Sequence, residues 1–148
     1  DHAGAIPMLQ NAREVQIKQI GRQANDSLLA GLFLTLSHAA SGNLSLAEMM
    51  LEEVDGDFIA ARAADDADRL TLLYFFAQYA NAVGTLDGER AATNALERLF
   101  DGCLESTDDP PKQMCLDAAK LLPRFYEAMI EAEPEGDWAG RQSERFGS

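Results

Sequence analysis

Histidine, cysteine and basic residues are scarce in this chain, and each scarcity removes a class of chemistry. The 148 residues include only two histidines, His2 and His38, and two cysteines, Cys103 and Cys115. Nucleophilic catalysis needs a base placed beside its nucleophile, and no serine sits in a G-x-S-x-G elbow. Neither a G-x-x-x-x-G-K-[ST] nor a G-x-G-x-x-G phosphate loop is present. A thiol–zinc site needs more ligands than two cysteines with no CxxC spacing and no nearby histidine. Glu-x-x-His, the mark of di-metal helix bundles, is absent as well.

Long apolar runs are also missing. The longest, Leu28–Leu36 and Leu70–Val83, fall short of the ~20 residues that span a bilayer, and polar residues interrupt both. They read as buried helices of a soluble protein, with no membrane span. Twelve basic residues stand against 25 acidic ones, a formal charge of −13. Nucleic acids and anionic membranes are bound through Lys and Arg, so this balance argues against both as partners.

What is present is helical. Hydrophobic residues make up 47% of the chain, ordinary globular usage. Strict apolar/polar alternation is absent, and apolar residues recur at helical spacing. The pattern predicts an all-α fold, a compact bundle of about five to six helices. Residues 1–133 form a single helical domain and residues 134–148 an irregular tail marked by Pro134, Gly136 and Gly140. Pro7 is expected to open the first helix, and Gly56 to end a short third one. Asp57 is then the cap of the fourth, whose part Leu70–Val83 is apolar on nearly every face and therefore central. Helices near Gly88–Glu105 and from Pro111 onward form a C-terminal helical hairpin, with Pro123 expected to kink the second.

Cys103 and Cys115 lie twelve positions apart across that hairpin loop, a placement compatible with a disulfide. Asp101, Glu105 and Asp108 surround Cys103 with negative charge, which disfavours a reactive thiolate. An oxidised pair slightly favours an extracytoplasmic location over the cytosol.

Charge is unevenly spread. Residues 43–68 hold eight acids against Arg62 alone, a net of −7, while residues 1–25 carry +1. Within the acidic stretch Asp55-Gly56-Asp57 fails as a calcium loop, because Ala60 stands where the invariant glycine belongs. No metal or other cofactor is implied. The leading expectation is a non-catalytic protein that binds another protein, basic ones included, through an acidic surface. Its candidate residues are Met49, Met50, Glu52, Glu53, Asp55, Asp57, Asp65, Asp66 and Asp68. A second expectation is a small-ligand carrier or sensor with an apolar pocket between helices, near Tyr74, Phe75, Phe76 and Tyr79. A third is an enzyme built on carboxylates and a divalent cation. The oligomeric state is not encoded in any pattern found.

Overall fold

The computed structural model describes residues 2–147, which form seven helices and, among the described residues, no strand. They are α1 (His2–Ile20), α2 (Asn25–Ala40), α3 (Leu44–Ala61), α4 (Ala67–Ala82), α5 (Leu86–Leu104), α6 (Gln113–Ala132) and α7 (Trp138–Phe146). The all-α bundle is the fold the periodicity predicts.

α4 is the central helix. It packs against α2, α3, α5 and α6, and its Leu70, Leu72, Leu73 and Phe76 are fully buried. The core continues through Val54 and Phe58 of α3, Leu96 and Leu99 of α5, and Leu122, Tyr126 and Met129 of α6. α5 and α6 pack together as the expected hairpin, and Cys103 and Cys115 meet where it turns.

Several boundaries differ from those expected. α3 runs through Gly56 to Ala61, because that glycine faces open space on the outer side of the helix and needs no special backbone angle. Asp57 therefore lies inside α3, and the cap of α4 is Asp66, whose side chain accepts from the backbone N–H of Asp68 and Arg69. Pro7 sits inside α1, where its ring removes a single early hydrogen bond. α6 likewise continues through Pro123, since the bond lost is to the carbonyl of Ala119, a solvent-exposed residue.

The expected irregular tail is largely helical. Residues 138–146 form α7, with Gly140 inside it. Three tertiary contacts hold the segment: Trp138 is buried, Arg141 and Arg145 both bond the buried Glu97, and the Phe146 ring lies 4.9 Å from that of Phe100. The apolar Trp138 and Phe146 are the tail residues that sequence marks for docking onto the body, but local composition does not name their partners, because Glu97 and Phe100 belong to α5.

α1 and α2 are separate helices. Gly21 adopts a φ of +95°, a conformation that side chains with a Cβ rarely enter, and the Ser27 hydroxyl donates to its carbonyl at 2.7 Å. The chain doubles back there, so α1 lies along the outside of α2. No helix among the described residues is long and apolar enough to cross a membrane.

Candidate functional site

The acidic stretch does not form one uniform negative surface. Asp55 is 4% exposed and accepts from Arg69 twice, at 2.6 Å from Nε and 3.3 Å from Nη2. Arg98 of α5 approaches the same carboxylate at 3.4 Å and also pairs with Glu52. Glu53 is bonded by Arg13 at 3.0 Å and by Arg22, which also reach Asp57 at 3.5 and 3.4 Å. Arg62 pairs with Asp66 and Asp68 at 3.1 and 2.7 Å. Of the eight acids, six thus have arginine partners, and four of the five arginines come from outside residues 43–68. Asp65 makes no ion pair among the described residues.

Glu53 and Asp57 share arginines yet shift in opposite directions. The hydrogen bond from Arg22 is the main effect holding the Glu53 carboxyl below its usual range. Asp57 is more deeply covered, and loss of hydration raises its pKa despite Arg22 and Arg13. Met50 packs against the core, whereas Met49 is 69% exposed on the outer face of α3.

The aromatic group of α4 is divided among three surroundings. Phe76 is fully buried in the core. Tyr74 donates its hydroxyl to Asp117 of α6 at 3.1 Å, and burial first, then that carboxylate, raises its pKa. It borders a small cavity of about 110 Å³ with Leu121 and Phe125. Phe75 and Tyr79, four residues apart and so on one helical face, border a different and larger space.

That space is an apolar groove of about 540 Å³. α1 supplies Ala5, Met8 and Leu9, α2 supplies Phe33, Leu36 and Ser37, and α4 supplies Phe75 and Tyr79. The α1 and α2 sets follow i, i+3, i+4 spacing and the α4 pair i, i+4, so three helices each turn one stripe toward the same gap. The gap exists because α1 packs on α2 without packing extensively on α4. Phe33 is left 55% exposed and Met8 75% exposed at its rim. Among the described residues the lining holds no carboxylate, guanidinium, ammonium or imidazole group; their side-chain polar atoms there are the hydroxyls of Ser37 and Tyr79. Its volume falls within the ~300–1,000 Å³ common for small-ligand sites, which are mainly apolar with few polar groups.

A second cavity of about 480 Å³ lies beside the α2–α3 and α4–α5 connections and is polar, with Glu48, Asp87 and Arg90 in its lining. Burial and then Asp87 raise the Glu48 pKa. Among the described residues no three His, Cys, Asp or Glu side chains converge as a metal site. His38 is buried, and its Nδ1 has no hydrogen-bond partner among the described residues, so that atom caps no carbonyl of α2. The side chain of His2 lies outside the described residues. Cys103 and Cys115 stand at disulfide distance, with Cα atoms 5.8 Å apart.

No family model matches this chain, and no curated protein or solved structure shows significant similarity to it. Its own geometry therefore carries the functional reading. Of the groove lining, the sequence pattern singled out only Phe75 and Tyr79. Phe33, Leu36 and Ser37 were hidden because α2 is apolar around most of its circumference, and a helical repeat does not reveal which side stays uncovered. Met8 and Leu9 were hidden because the fold of α1 onto α2 depends on the turn at Gly21.

Proposed function

We propose that this protein is a non-catalytic carrier or sensor that holds a small apolar ligand in the groove between α1, α2 and α4. The observation that carries this reading is the groove itself: a concave site of about 540 Å³, lined by three helices and bordered by aromatic rings that solvent reaches. Contiguous exposed apolar surface is uncommon on a monomer unless it meets something. The acidic stretch supports binding less well, because six of its eight carboxylates already have arginine partners within the chain.

A fluorescence titration with the neutral apolar dye N-phenyl-1-naphthylamine tests the proposal. The wild-type protein is expected to give saturable enhancement, and Phe33→Arg, which sets a cation at the mouth of the groove, to abolish it. Phe33 is exposed enough for the variant to fold, and its far-UV circular dichroism should match wild type. Absence of saturable binding by wild type, or equal binding by the folded variant, would refute the proposal.

A further inference from the structure

Resting on the reading of the groove as a ligand site, we infer that its occupant is an uncharged, largely apolar molecule with one hydrogen-bonding group that the Ser37 hydroxyl recognises. Three observations converge on this class.

The first is the missing charge. Among the described residues no ionisable acid or base other than the Tyr79 phenol borders the groove. A carboxylate or ammonium entering it would lose hydration without gaining a counter-ion. For an anion, the protein's net charge of −13 adds repulsion.

The second is the state of Ser37. This residue is only 5% exposed, borders the groove, and its hydroxyl has no hydrogen-bond partner among the described residues. Helical hydroxyls commonly satisfy themselves by donating to the carbonyl four residues earlier. Thr35 does so to Gly31 at 2.7 Å, and Thr71 to Ala67 at 2.8 Å. Ser37 makes no such bond to Phe33, which leaves both its donor and its acceptor capacity for an occupant. A hydroxyl that opens onto an otherwise apolar groove can donate one hydrogen bond and accept another, so it is a place where an occupant's polar atom can bind.

The third is the rest of the lining. Around Ser37 stand the rings of Phe33 and Phe75 and the chains of Leu36 and Leu9, with Met8 at the rim. This surface suits an aliphatic chain or a single ring lying flat, and Met8 is flexible enough to close over either.

Displacement of bound N-phenyl-1-naphthylamine by decan-1-ol, decanoate and decylammonium at pH 7 tests the inference, with wild type and Ser37→Ala compared. Decan-1-ol is expected to displace the dye at about tenfold lower concentration than either ion, since burying an unpaired charge is the larger penalty. In Ser37→Ala, with the dye's own affinity for that variant measured directly and used to correct the competition, the alcohol should weaken by about two- to tenfold, the worth of one hydrogen bond. An ion that competes as well as the alcohol would overturn the neutral-ligand assignment. Unaltered alcohol affinity in Ser37→Ala would overturn the role of Ser37. Failure of the dye to bind wild type removes the groove reading itself, and this inference with it.

Discussion

Replacing Asp55 by alanine should be among the most damaging single changes on α3, although sequence places this residue in an acidic surface stretch. The side chains of Asp55 and Arg69 are each 6% exposed. Removing the carboxylate takes away two of the guanidinium's hydrogen bonds and leaves one, from Nη1 to the Ala64 carbonyl at 2.6 Å. Arg69 has little room to swing toward water. α5 closes over it so tightly that a Cβ at Gly102 would fall 2.9 Å from its Nη1 and 2.8 Å from the Ala64 carbonyl. The charge stays buried with most of its compensation gone, a situation that typically costs about 3–5 kcal/mol. An exposed ion pair is worth roughly 0–1 kcal/mol, so the two readings of Asp55 differ several-fold. The paired change Asp55→Leu with Arg69→Met removes both charges and should recover most of the loss, because apolar replacement of a whole buried pair is often neutral. Urea unfolding followed by far-UV ellipticity at pH 7 measures all three variants against wild type. A cost below about 1 kcal/mol for Asp55→Ala, or strictly additive effects in the double variant, would refute a buried, coupled pair.

Two further outcomes follow from the same geometry. Reducing Cys103–Cys115 should lower stability by about 3 kcal/mol, the loop-closure value for a short ring, and lower Tm by about 9 °C; an unchanged melting curve after verified reduction would contradict a stabilising crosslink. Glu53 has its folded-state pKa held down chiefly by Arg22, so its contribution is present above its ordinary value of 4.5 and fades as pH falls through the lower folded value. The stability gap between wild type and Glu53→Gln should therefore shrink as urea midpoints are taken from pH 6 down to pH 3, and a gap that widens would reverse the assigned sign.

The helical class was legible because apolar spacing is a local property: each helix displays its own stripe, and the near-continuous apolar run of α4 announces a helix covered from many sides. The meeting of Cys103 and Cys115 was legible for a similar reason, since a short loop between two helices leaves their ends few places to go. The helix ends were less legible. Gly56 and Pro123 are breakers by propensity, yet both lie inside helices whose packing outweighs a local cost of a few kcal/mol at most.

Charge and concavity were beyond the sequence. A count along the chain finds Arg62 alone among eight acids, but the fold brings Arg13, Arg22, Arg69 and Arg98 to the same carboxylates from other helices. α7 is held in the same way, by Glu97 across 44 residues of chain. The groove is the extreme case, because it consists of space that α1 leaves uncovered between α2 and α4. Amphipathic pattern states which residues avoid water, whereas the angle at which one helix crosses another decides whether they meet protein or a cavity. For this protein, sequence alone determined a helical bundle centred on α4 and the absence of familiar catalytic motifs. Only tertiary structure turned the acidic stretch into arginine-bridged joints and opened an apolar groove between α1, α2 and α4, since both arise between residues far apart along the chain.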